Sequence, residues 1–151
     1  MKKKMVLIGI LILLLLLGIC VKRERNLGEL LDISKENIWQ CTVGKAYNSG
    51  TQWDYESAVI EDTKEFETIC NLLDETTVLF KTWKWNSDLE NGEIFCELMV
   101  FDDSKHWIRF MENGEIEILN GGHWRFEVIG EEKSRCTDYL EELLKEYEIT
   151  K

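Results

Sequence analysis

The stretch Glu61–Glu75, EDTKEFETICNLLDE, decides the fold, because its apolar residues keep a helical period while the segments on either side alternate. Asp62 stands where a helix N-cap belongs, its carboxylate able to accept from the free N–H groups of the first turn. Glu65, three residues on, reads as the side chain that reaches back to close a capping box. Phe66, Ile69, Cys70 and Leu73 then fall at i, i+3, i+4 and i+7, an apolar stripe that needs a surface to cover.

That surface is offered on both sides. Upstream, WQCTVGKAY (39–47) alternates, with Trp39, Cys41 and Val43 on one face; NSGTQ (48–52) is a turn, and WDYESAVI (53–60) alternates again, with Trp53, Tyr55 and Val59 together. The two make a hairpin. Downstream the sequence predicts a meander: TTVLFKTWKW, the loop NSDLENGE, then IFCELMVFD with Ile94, Cys96, Leu98 and Val100 on one face. HWIRFM follows, then Asn113-Gly114, a pair suited to a type I′ turn, then IEIL, the turn NGG and WRFEVI. A last helix, CTDYLEELLKEY, carries Cys136, Leu140, Leu143, Leu144 and Tyr147 on one stripe. An antiparallel sheet must have its apolar face covered, and the two helical stripes are the candidates. The expected fold is therefore α+β: β-hairpin, helix, β-meander and C-terminal helix, behind one N-terminal transmembrane helix.

The chain opens with a basic leader (1–4), followed by 17 residues, Met5–Val21, without a charged group. At 1.5 Å per residue these reach about 25 Å, the short end of what spans a bilayer. Lys22, Arg23 and Arg25 form a basic collar, and Leu27, Leu30 and Leu31 predict a short juxtamembrane helix within 22–37; residues 38–151 form the body. The apolar run is longer than a secretory h-region and no A-x-A site follows it, so it reads as an uncleaved anchor. In the alternative, a lipoprotein anchored at Cys20, the bulky Ile19 stands where the lipobox wants a small residue. The clustered lysines of the leader favour a cytoplasmic N-terminus and an exterior body.

Residues 26–151 hold 12 basic and 28 acidic side chains, a net charge of −16. That field repels phosphate backbones and argues against a nucleic-acid partner; a cationic protein or peptide is the partner class it favours. The basic-plus-leucine N-terminus, the EDTKEFETICNLL helix after a hairpin and the aromatic meander with NGE turns resemble small membrane-tethered or lipoprotein domains of unknown function from Gram-positive bacteria. The resemblance implies an exported single domain and no particular activity.

No residue pattern points to a cofactor or a metal. Cys41, Cys70, Cys96 and Cys136 are even in number, which in an exported domain permits two disulfides in three pairings, yet each sits on a predicted core face where a free thiol is at home. His106 and His123 read as solvated strand-end histidines without metal-ligand spacing. Ser104 and His106, two apart, share a strand face without a recognisable orienting carboxylate. Trp83 and Trp85, in KTWKWN, share a face flanked by Lys81, Lys84 and Asn86: core if inward, an aromatic platform for a partner if outward. The leading expectation is a non-enzymatic, immunity- or inhibitor-like binding domain using an open sheet edge or those tryptophans. The alternatives are a cell-envelope hydrolase or transferase subunit, and an accessory subunit acting through its transmembrane helix.

Overall fold

A computed structural model describes residues 2–21, 23–48, 53–85, 94–130 and 135–147. Helix α1 spans Lys2–Val21. Its described side chains are apolar and open: Val6, Ile8 and the run Ile10–Leu15 are all more than half exposed. Among the described residues no helix is long and apolar enough to cross a membrane.

The body is α+β, with one eight-stranded antiparallel sheet and a C-terminal helix. The elements are β1 (Arg25–Asn26), α2 (Leu27–Leu31), a 3-10 turn (Lys35–Asn37), β2 (Gln40–Asn48), β3 (Trp53–Ile60), α3 (Thr63–Glu75) and β4 (Thr77–Lys84). Then come β5 (Ile94–Phe101), β6 (Lys105–Met111), β7 (Glu115–Ile118), β8 (His123–Val128) and α4 (Arg135–Glu146). The strands lie in the order β1-β4-β8-β7-β6-β5-β2-β3. Hairpins set the β2–β3 and β5-to-β8 neighbours; the pairings β2–β5 and β4–β8 join strands far apart in sequence.

One sheet face carries the core. Cys41 and Val43, Ala58 and Ile60, Cys96, Leu98 and Val100, Ile108 and Phe110, and Phe126 and Val128 are buried there. The stripes cover them: Phe66, Ile69, Cys70 and Leu73 of α3 with Cys136, Leu140, Leu143 and Leu144 of α4, all buried in the same cluster. At about 25 cal/mol per Å² of apolar surface this burial is the main driving force of folding. Polar links add to this: Lys45 Nζ of β2 reaches Glu141 of α4 at 2.6 Å, and Arg135 of α4 reaches Glu75 of α3 at 2.9 Å.

Four local expectations change. The core-facing Cys41 and Val43 lie in register with Ile60 and Ala58, so β3 buries those two and turns Tyr55 and Val59, read as its apolar face, to the other side, where they are exposed; Trp39, ahead of β2, is exposed as well. The Asp62 carboxylate accepts from the Lys64 amide at 2.9 Å, so the N-cap forms, but Glu65 is taken by the Tyr139 hydroxyl of α4 and serves helix-to-helix packing. The Asn113-Gly114 turn is not type I′: only Gly114 has positive φ (80°), and its amide bonds to Met111 O, which is a type I turn ending in a left-handed glycine. The segment read as collar and juxtamembrane helix is built into the body. Arg25 and Asn26 pair with Val78 and Thr77, and Leu27 and Leu31 lie in the core. The turns at 49–52 and 86–93 lie outside the described residues.

Candidate functional site: the aromatic end of the sheet and a charge row on its helix-free face

Trp83 and Trp85 stand at the end of β4. Trp85 is 77% exposed and its ring meets Trp83 edge-on at 4.7 Å. Trp83 is half-buried and lies 6.1 Å from Trp124 of β8, which in turn faces Phe80 at 6.1 Å. The pair thus splits the two readings of the sequence: Trp83 anchors an aromatic cluster and Trp85 caps it from solvent. Beside this cluster lies a cavity of about 220 Å³ lined by Leu30, Val78, Phe80, Trp124 and Phe126, with Arg23 and Arg25 completing it.

The opposite, helix-free face holds a feature that residue-by-residue reading missed. Gly44, Glu97, Arg109, Glu117, Arg125 and Thr82 stand side by side across six strands in direct register. Their charges alternate. Arg109 Nε donates to Glu97 at 2.6 Å and Nη1 to Glu117 at 3.2 Å; Arg125 Nε donates to Glu117 at 3.3 Å. His123 Nδ1 lies 3.3 Å from Glu117, and Lys81 bonds Glu115 one row along. Glu117 is 1% exposed, as buried as the aliphatic core. The Phe95 and Trp107 rings flank the Arg109 guanidinium at 4.9 and 5.3 Å, shielding it with cation–π contact. Tyr55 lies across Gly44 to reach Glu97; a Cβ at Gly44 would fall 2.3 Å from the Tyr55 hydroxyl oxygen, so only glycine lets the ring pass. Burial, with the neighbouring Glu97 charge and hydrogen bond, pushes the Tyr55 hydroxyl up to about 12. Every carboxylate of the row is engaged by a guanidinium, an arrangement that holds strands in register. Charges set inside otherwise apolar strands (Glu97, Arg109, Glu117, Arg125) were the sequence signal for it.

His106 corrects the solvated-histidine expectation. It is 5% exposed and its Nε2 lies 3.1 Å from both Asp102 Oδ1 and Ser104 Oγ. An orienting carboxylate is therefore present, contrary to the sequence reading, but it shares one ring nitrogen with the serine. A catalytic triad needs the acid and the nucleophile on opposite ring nitrogens, so that the proton taken from the hydroxyl can be carried away. Here Nδ1 is buried without a hydrogen-bond partner. Asp102 instead organises the β5–β6 turn, accepting from the Ser104 and Ser34 amides at 2.8 and 2.9 Å. Burial pushes its carboxyl up, and these hydrogen bonds with the nearby imidazole outweigh it, leaving Asp102 below the usual carboxylate range.

The four body cysteines are buried reduced thiols and form no disulfide. Burial pushes Cys41 up to about 12 and Cys96 to about 11, so neither is a nucleophile at neutral pH. Among the described residues no group of three or more His, Cys, Asp or Glu side chains is placed to hold a metal ion. Comparison of the chain with protein-family models, with curated proteins and with solved structures finds no match.

Proposed function

We propose that the chain is a membrane-anchored, extracytoplasmic, non-enzymatic domain that captures a cationic protein or peptide along the open edge of its sheet. The observation that carries this reading is β3. Its eight residues, Trp53–Ile60, end the sheet, and among the described residues no strand pairs with their outer side. An unpaired edge offers backbone N–H and C=O groups to an added strand. Asp54, Glu56 and Glu61 are exposed along it, and Tyr55 and Val59 present apolar surface between them. Like edges of two copies repel each other through these acids, whereas a strand alternating apolar and basic residues matches them. The net charge of −16 adds long-range steering of the same sign.

The anchor is part of the same proposal. The sequence Met5–Val21 is uncharged, and its described apolar side chains are more than half exposed, which suits a lipid surrounding. The lysine cluster before it favours a cytoplasmic leader. The non-enzymatic reading is supported by the engaged carboxylates of the charge row and the shared nitrogen of His106. An immunity- or inhibitor-like role, interception of a cationic protein at the cell surface, follows from that location and charge.

The test is peptide display against the full chain in lipid nanodiscs. Peptides alternating apolar and basic residues are expected to be enriched, to lose binding as salt rises, and to be lost on a D54K/E56K variant. Enrichment of acidic peptides, or binding indifferent to salt and to that variant, refutes the edge-capture reading.

A further inference from the structure

We infer that the β1–β4 end of the body rests on the bilayer, and that its cavity holds the headgroup region of an anionic phospholipid. This rests on the anchor reading above. Strand register places the cavity. Asn26 lies beside Thr77 and Arg25 beside Val78, so the chain upstream of Arg25 heads along β4 toward Trp83; Arg23 and Phe80 both line the cavity. Arg23 is two residues beyond Val21, the end of α1, a span of at most about 7 Å. The end of the membrane helix and the Trp83–Trp85–Trp124 cluster therefore share one end of the sheet.

The chemistry at that end is interfacial. Tryptophans concentrate at headgroup depth because an apolar ring with one N–H suits a half-wet layer. Trp85, the most exposed aromatic of the described body, is placed there. Among the described residues the cavity combines apolar walls (Leu30, Phe80, Trp124, Phe126) with two arginines and no acid, beside residues 26–151, whose net charge is −16. Glu24 and Glu29 lie beyond the arginines in an adjacent polar recess. A planar guanidinium matches phosphate oxygens in pairs, and two of them beside apolar walls fit a phosphate attached to an acyl glycerol. Whole-ligand pockets run to about 300–1,000 Å³, so a cavity of about 220 Å³ admits a headgroup and the first part of a chain, the rest staying in the bilayer.

The experiment places the full chain in phosphatidylcholine vesicles containing phosphatidylglycerol, with either lipid brominated on its acyl chains near the headgroup. Brominated phosphatidylglycerol is expected to quench tryptophan fluorescence more than the same fraction of brominated phosphatidylcholine, and W85F and W124F to remove much of the difference. Arg23 and Arg25 are exposed, so the R23Q and R25Q variants fold; each is expected to lower the preference for phosphatidylglycerol about fivefold, the equivalent of about 1 kcal/mol per basic residue at an anionic surface. Equal quenching by the two lipids, or a preference untouched by R23Q/R25Q, overturns the inference while the anchor stands. Displacement of the preference by a soluble acidic, apolar peptide assigns the cavity to a peptide and also overturns it. Release of the chain from vesicles by alkaline carbonate overturns the anchor reading itself.

Discussion

Glu117→Gln should be among the most damaging single-atom-scale changes in the body. The Glu117 carboxylate is within 3.2 Å of Arg109 Nη1 and 3.3 Å of Arg125 Nε. At an effective dielectric near 20 each contact has a Coulomb energy of about 5 kcal/mol, most of which offsets the desolvation of the three groups. The substitution leaves the desolvation of the two guanidinium groups in place while removing the attraction. Arg109 keeps Glu97, but Arg125 is left with Glu115 at 3.9 Å. Breaking one partner out of a buried pair costs about 3–5 kcal/mol. Because the two guanidinium groups retain 13% and 16% exposure, about 3 kcal/mol is expected, against a typical domain stability of about 5–15 kcal/mol. Urea unfolding of the full chain in micelles, followed by tryptophan fluorescence, should show the midpoint fall by about 1.5–2 M with little change in slope. A cycle with Arg125→Gln should return a coupling above about 1 kcal/mol. The control is Asp74→Asn, which breaks the Lys35–Asp74 pair; both side chains are over 40% exposed, and such pairs contribute about 0–1 kcal/mol. If Glu117→Gln costs no more than Asp74→Asn, the row is not what holds this face of the sheet together.

Asp62→Ala should cost about 1 kcal/mol through loss of the α3 N-cap, while Glu65→Gln should act on α3–α4 packing through Tyr139, which thermal melts of the two variants and of Tyr139→Phe would separate. Asp102 titrates below its usual range in the folded state, so its contribution is present at neutral pH and is lost as pH falls through the folded value, below about 4; the stability difference between Asp102→Asn and the parent should shrink over that window, and a difference constant from pH 7 to pH 3 would contradict it. Cys41, Cys70 and Cys96 should resist a thiol reagent at pH 8 in the native protein and react in urea, because burial holds all three thiols above their ordinary values.

Local features were legible in the sequence and non-local ones were not. The α3 and α4 stripes, the β2–β3 hairpin and the run β5 to β8 each follow from periods and turns within a few residues; the structure places the two stripes and most of the strand positions in the core, but in β3 it buries Ala58 and Ile60 and leaves Tyr55 and Val59 exposed. The pairing of β1 with β4 is two residues long and polar, too short to leave a period. The joins of β2 to β5 and β4 to β8 depend on which faces can be buried together, which no local pattern encodes. At the candidate sites, Trp83 and Trp85 were found from their spacing, but the depth of each depends on neighbours from β8. His106 was misjudged because its partners, Asp102 and Ser104, act through a turn whose shape is set by the Ser34 amide.

The charge row shows why such a sheet needs more than apolar alternation. Sliding a strand by one residue turns its core face to solvent, so the hydrophobic pattern already forbids odd slips. It does not forbid a slip of two, which keeps every side chain on its own face. Here a two-residue slip of β6 against β5 would set Glu97 opposite Trp107 or Met111 in place of Arg109, and the same slip of β7 against β6 would strand Glu117 without Arg109. The first leaves Glu97 buried without its counter-charge, at a cost of several kcal/mol, and the second leaves Glu117 with Arg125 as its remaining guanidinium, whereas the apolar contacts change little. Alternation thus selects the face and the row selects the register, which is why charges inside four largely apolar strands are consistent with a sheet whose other face is an ordinary hydrophobic core.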